Sequence, residues 1–196
     1  MARTEKKAVI FDFFGVFCPP VHGDWIRARG INTDEPFWKD LFERVDYGKI
    51  ARSELLEIVS QKSGFSPEQI EEEVGAAVTI DPDLLALVGE LKKNYKTALL
   101  SNAGHDFLES VLAEYELHPY FDNITVSCKI NMIKPNPEIF LHSLQEIGAT
   151  PQDAVFVDDT IKNVEAARRL GLGGALYIYR DSARLREELR AFGFNI

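Results

Sequence analysis

Five short apolar runs without polar alternation, at residues 8–11, 97–100, 124–126, 154–157 and 175–178, constrain this chain most. A strand with one wet face alternates apolar and polar residues; an unbroken apolar run needs cover on both faces. Helical patterns at 82–94, 106–116, 137–147, 162–170 and 183–192 supply that cover. Strands alternating with helices are expected to form βαβ units in a doubly wound, parallel, Rossmann-like sheet of the α/β class. Gly148 and Gly171 stand where helices should stop, and Pro137 stands where one can start.

One interval breaks the alternation. Residues 19–80 hold no convincing buried strand but three amphipathic segments, at 35–45, 51–63 and 66–78. Ser66-Pro67-Glu68-Gln69 reads as a helix start, because Ser66 and Gln69 can cap each other's backbone N–H. The expected organisation is a core domain made of residues 1–18 and 81–196, interrupted by an all-helical domain at 19–80.

The 196 residues carry 31 acidic and 22 basic side chains, for a net charge of −9. That balance argues against a nucleic-acid or anionic-membrane partner, since both are polyanions. Small anions remain admissible where a metal or local cation neutralises them. The two cysteines, Cys18 and Cys128, lack metal-binding spacing and read as reduced thiols. Lys6-Lys7 before an apolar run resembles a leader, but Asp12 interrupts the run and Pro19-Pro20 replace a small-residue cleavage site. The expectation is a cytoplasmic protein with no membrane span; the pattern carries no signal for oligomeric state.

Ligands of open parallel sheets bind beyond the carboxyl ends of the strands. Asp12 follows the first run, Ser101-Asn102 the second and Asp158-Asp159 the fourth, and Lys134-Pro135 precede the helix opening at Pro137. A carboxylate can attack phosphorus or carbon and split one hard displacement into two easier steps. Attack on a phosphate meets like-charge repulsion of about 4 kcal/mol at 4 Å and an effective dielectric near 20. A Mg²⁺ ion held by carboxylate oxygens reverses that sign. Asp12 with Asp158 or Asp159 could hold it, with Lys134 balancing charge and Ser101 donating to the transferring oxygens.

These segments, Asp12-Phe13-Phe14-Gly15-Val16, Leu100-Ser101-Asn102, Lys134-Pro135-Asn136-Pro137-Glu138-Ile139-Phe140 and Val157-Asp158-Asp159, together resemble the four ordered motifs of the haloacid dehalogenase superfamily. The resemblance implies a Mg²⁺-dependent hydrolase acting on a small phosphorylated metabolite, with Asp12 as nucleophile. It further implies Ser101 and Asn102 as phosphate ligands and Lys134 as catalytic, phosphate-binding cation. Metal ligands would be Asp12, the Phe14 carbonyl, Asp159 and Asp158, with Asn163 supporting the metal shell. The helical interval then corresponds to the family's small cap, its aromatic residues Trp25, Phe37, Trp38, Phe42 and Tyr47 forming mainly the cap's own core. Arg27, Arg29 and Arg44 read as surface charges rather than substrate contacts.

Phe14 departs from the pattern, because phosphatases of this family carry a second Asp there as general acid and base. Phe keeps the carbonyl but not the proton, and loss of a positioned acid costs about 10²- to 10⁴-fold in rate. His22, Asp24 and His105 are the candidate replacements by sequence. The same substitution admits two alternatives, a haloacid dehalogenase and a catalytically silent binder of phosphometabolites. The adjacent acids Asp158 and Asp159 oppose the dehalogenase, since they would repel a haloacid carboxylate. Lys39, Lys49 and Lys62 lie in polar context unsuited to a Schiff-base lysine of the phosphonate-cleaving branch.

Overall fold

The computed structural model describes residues 7–196. Five parallel strands, β1 (Ala8–Phe11), β2 (Lys96–Ser101), β3 (Asn123–Val126), β4 (Ala154–Asp158) and β5 (Gly173–Leu176), form one sheet in the order β3-β2-β1-β4-β5. The chain thus winds one way from β1 to β3 and returns across β1 to β4 and β5, which puts the topological switch beside β1. Ala8 pairs with Lys96 on one side and Ala154 on the other, so the register brings the ends of β1, β2 and β4 together.

Successive side chains of a strand point to opposite faces, and both faces are dry here. Val9 and Phe11 join Leu99, Val155 and Val157 on one face, under α5 (Pro82–Leu91), α6 (Phe107–Glu114) and α10 (Ser182–Phe192). Ala8 and Ile10 join Ala98, Leu100 and Phe156 on the other, under α8 (Pro137–Glu146) and α9 (Ile161–Arg169). Each such Leu, Ile, Val or Phe contributes about 1.5–3 kcal/mol of burial, and this double cover is why the runs do not alternate.

Between β1 and α5 lie four helices, α1 (Val21–Arg27), α2 (Pro36–Asp46), α3 (Arg52–Ser63) and α4 (Pro67–Ala76). Their buried residues, among them Trp38, Leu41, Val59 and Ile70, belong to the same apolar cluster as Val9 and Phe11. The capping box is present: Gln69 N–H donates to Ser66 Oγ at 3.3 Å, and Ser66 N–H to Gln69 Oε1 at 3.0 Å. Asp81 closes the interval, accepting from the N–H groups of Asp83 and Leu84 at the start of α5 and from the Tyr177 hydroxyl.

Three elements differ from expectation. The last strand starts two residues early, at Gly173, because the glycines permit close approach: a Cβ on Gly173 would lie 2.7 Å from Val155 Cγ2, and one on Gly174 2.8 Å from Arg168 Cγ. Helix α1 follows Pro19-Pro20 and contains Gly23, which mask its pattern, yet Val21, Trp25 and Ile26 are buried. A single turn, α7 (Ser127–Ile130), follows β3 and is too short to show periodicity. Among the described residues, no helix is long and apolar enough to cross a membrane.

Candidate active site

Asp12 directly follows β1 and extends its ladder, its N–H donating to the Val157 carbonyl at 2.8 Å. Ser101 ends β2 and Asp158 ends β4, so the flanking strands deliver both to the same edge. Lys134 comes from the loop between α7 and α8, across a cis peptide bond to Pro135. Its buried ammonium lies 2.7 Å from Asp12 Oδ1 and donates to Asp158 Oδ2 at 2.8 Å. Asn102 fixes that loop: its Oδ1 accepts from the Lys134 N–H at 2.8 Å and its Nδ2 donates to the Lys134 carbonyl at 3.0 Å. The Asn102 side chain is therefore committed to placing Lys134.

The adjacent acids are not equivalent. Asp158 is fully buried and saturated, accepting from Lys134, from Asn163 Nδ2 at 3.1 Å on both oxygens, and from the Thr160 N–H at 2.7 Å. Asp159 is more open and accepts from the Thr160 hydroxyl at 3.2 Å. Its carboxylate occupies the space beside Gly15, where a Cβ would collide with it. Gly15 also has φ +83°, a left-handed conformation that favours glycine. Both constraints make residue 15 a seat for Asp159.

Ligand atoms of Asp12, Asp158 and Asp159 lie within 4.8 Å of one another. Burial pushes the Asp12 carboxyl well above the usual range; Lys134 opposes this and Asp158 adds to it. Burial and then Asp158 raise Asp159 as well. Burial alone would pull Lys134 down, but Asp12 and Asp158 outweigh it and hold the ammonium above its ordinary value. Three carboxylates, Asp12 and Asp158 buried and Asp159 open to solvent, thus crowd around one ammonium, an excess of negative charge that fits a hard divalent cation. Ser101 Oγ is buried without a hydrogen-bond partner among the described residues, an unmet polar group that a ligand oxygen would satisfy.

Phe14 is half-buried, its ring 5.0 Å from Phe13 and stacked 6.1 Å from Phe107. Above it opens a cavity of about 430 Å³, lined by Phe14, Phe42, Asp46, Arg52, Asn102 and Phe107 among others. The three acid–base candidates read from sequence are otherwise engaged. His22 packs its ring 4.3 Å from Phe107, and burial with the nearby Arg52 brings its pKa down to about 4, so it is neutral at pH 7. Asp24 pairs with Arg27 at 2.6 Å, and His105 Nε2 lies 3.2 Å from the Gly48 carbonyl. Arg29 is structural, stacked 3.4 Å over Trp25 and paired with Glu73. Asp46, which no sequence motif marks, lines this cavity together with Asp34.

Comparison with known proteins gives the family and the fold. A family model described as haloacid dehalogenase-like hydrolase matches residues 6–171. Bifunctional epoxide hydrolase 2 of Rattus norvegicus is 33% identical over 135 residues, covering 66% of this chain but 24% of its own length. The chain spans 23% and 39% of the homologous mouse and pig proteins, so it is similar to a part of each. Phosphorylated carbohydrates phosphatase of Thermotoga maritima is 26% identical over 195 residues, covering 92% of this chain and 90% of that protein. A HAD family enzyme of Bacteroides thetaiotaomicron, solved with magnesium and inorganic phosphate, shares the fold with a TM-score of 0.73 at 22% identity, covering 92% of this chain and 98% of that one.

Proposed function

This chain belongs to the haloacid dehalogenase-like hydrolases, and from that premise we propose that it is a phosphatase that cleaves small phosphate monoesters through an aspartyl-phosphate at Asp12. The observation that carries the proposal is the buried Asp12–Lys134–Asp158 array with Asp159 beside it. In this reading Asp12 attacks phosphorus while Lys134, held from both sides, balances charge on the transferring group. The unpartnered Ser101 hydroxyl donates to its oxygens. Asn102 acts through Lys134. Helices α1–α4 serve as a cap that carries the leaving-group cavity and excludes water.

A Mg²⁺ ion held by Asp12, Asp159 and the Phe14 carbonyl would neutralise the phosphate and relieve the crowding of negative charge. Asp158, saturated by Lys134, Asn163 and Thr160, orients the lysine rather than binding the ion directly. The same cluster disfavours a haloacid substrate, whose carboxylate would meet three others.

Purified protein with Mg²⁺ is expected to release 4-nitrophenol from 4-nitrophenyl phosphate, to stop in EDTA and to resume with excess Mg²⁺. Mg²⁺ should also raise the melting temperature, since an ion that binds only the folded state stabilises it. Turnover insensitive to EDTA contradicts the cation site, and halide release from chloroacids without phosphate release favours the dehalogenase.

A further inference from the structure

A phosphatase needs a proton for the departing oxygen, and Phe14 cannot supply one. Among the described residues that line the cavity above it, the acids are Asp34 and Asp46. Asp34 is exposed and faces Lys39 at 3.9 Å. Asp46 is the half-buried last residue of α2, and the backbone around it is pinned to the sheet's carboxyl edge. Its carbonyl accepts from Ser127 Oγ at 2.7 Å, and the same Oγ accepts from the Ala103 N–H, two residues beyond Ser101. The next side chain, Tyr47, accepts through its hydroxyl from Asn136 Nδ2 at 3.1 Å, two residues beyond Lys134. Then the Gly48 carbonyl meets His105. Packing at this joint is tight: a Cβ on Gly48 would lie 2.6 Å from the Cys128 carbonyl, and one on Gly104 2.5 Å from Val45 Cγ1. Residues 46–48 are therefore anchored to α7, to the loop that follows Ser101 and to the loop that carries Lys134.

Resting on the phosphatase reading, we propose that Asp46 is the catalytic acid and base that replaces the missing carboxylate at position 14. When Asp12 forms its bond to phosphorus, the ester P–O bond breaks and the leaving oxygen takes the Asp46 carboxyl proton, giving the alcohol and an Asp46 carboxylate. Water then attacks the aspartyl-phosphate and gives a proton to that carboxylate. Inorganic phosphate leaves, and both acids return to their starting states.

Electrostatics suit the task. Burial pushes the Asp46 carboxyl up to about 7; Lys134 opposes this, Glu43 on its own helix adds to it, and Lys162 on α9 opposes it. The Cys128 thiol on α7 senses the same carboxylate, and His105 and Arg52 line the cavity from the loop after β2 and from α3. Asp46 also ends a helix, where the macrodipole disfavours an anion. A group near pH 7 is well placed to both give and take a proton.

Leaving groups separate this role from a structural one. Asp46→Asn is expected to lower kcat/KM for n-butyl phosphate about 10²- to 10³-fold, but that for 4-nitrophenyl phosphate about tenfold or less, because nitrophenolate departs unprotonated. The variant should show a stoichiometric nitrophenol burst, its water having lost its base. Wild-type kcat/KM for n-butyl phosphate should fall above about pH 7, where the donor is deprotonated, and that limb should vanish in Asp46→Asn. Adding Phe14→Asp to Asp46→Asn should restore n-butyl phosphate turnover. Equal losses on both esters, or an unchanged n-butyl phosphate rate and pH limb, overturn the proposal alone. Failure of the wild type with Mg²⁺ to hydrolyse either ester overturns the phosphatase reading and this proposal with it.

Discussion

Asp12→Asn is expected to reduce 4-nitrophenyl phosphate hydrolysis by about 10⁴-fold or more without unfolding the chain. The amide keeps an oxygen for the Lys134 ammonium and for the Phe13 N–H, which now donates to Asp12 Oδ1 at 2.7 Å. It removes the nucleophilic carboxylate, for which no neighbour can substitute: Asp158 is enclosed by its own donors and Asp159 rests against Gly15. Because burial, with Asp158 adding to it, disfavours the Asp12 anion more than Lys134 favours it, neutralising the side chain removes the cost of a desolvated charge. The melting temperature without metal should therefore hold or rise, while stabilisation by Mg²⁺ shrinks. Steady-state rates and thermal melts check both halves, and residual activity within tenfold of wild type contradicts the assigned nucleophile.

Lys134→Met should act on fold and chemistry together. The lysine is 3% exposed and its ammonium is shared between two acids at 2.7 and 2.8 Å. Removing one partner of a buried ion pair leaves uncompensated charge and costs about 3–5 kcal/mol. Here Asp12 and Asp158 would face each other with no cation between them. Urea denaturation should show that loss, and millimolar Mg²⁺ should recover part of it by replacing the missing positive charge. In the double variant Asp12→Asn/Lys134→Met the combined loss should fall below the sum of the single effects, as expected for coupled neighbours. A loss below about 1 kcal/mol in Lys134→Met contradicts the buried bridge.

Much of the fold was readable because the strands are covered on both faces. Unbroken apolar runs located β1 to β4 within a residue or two, and their ends pointed to Asp12, Ser101, Asp158 and Asp159 before any coordinate. β5 was misplaced because its first residues are glycines, which show no hydrophobic signal and matter only for how closely Val155 and Arg168 approach. The ordering of roles within the acidic doublet was not readable. Adjacent residues leaving a strand take different directions, and only the donors from Lys134, Thr160 and Asn163 distinguish Asp158 from its neighbour. Asp46 was also unmarked by any motif: it lies 34 positions after Asp12, and only the docking of the end of α2 against Ser127 and, through Tyr47, against Asn136 puts it on the cavity above Phe14. Its only local signal is an acid at the unfavourable end of a helix.

The central step is the covalent transfer of phosphate to Asp12. Rapid mixing of the Mg²⁺-loaded protein with 4-nitrophenyl phosphate, acid quench, proteolysis and mass spectrometry should find a phosphorylated peptide carrying Asp12, and none in Asp12→Asn. Phosphate on another residue, or turnover at full rate with Asp12 never modified, would contradict it.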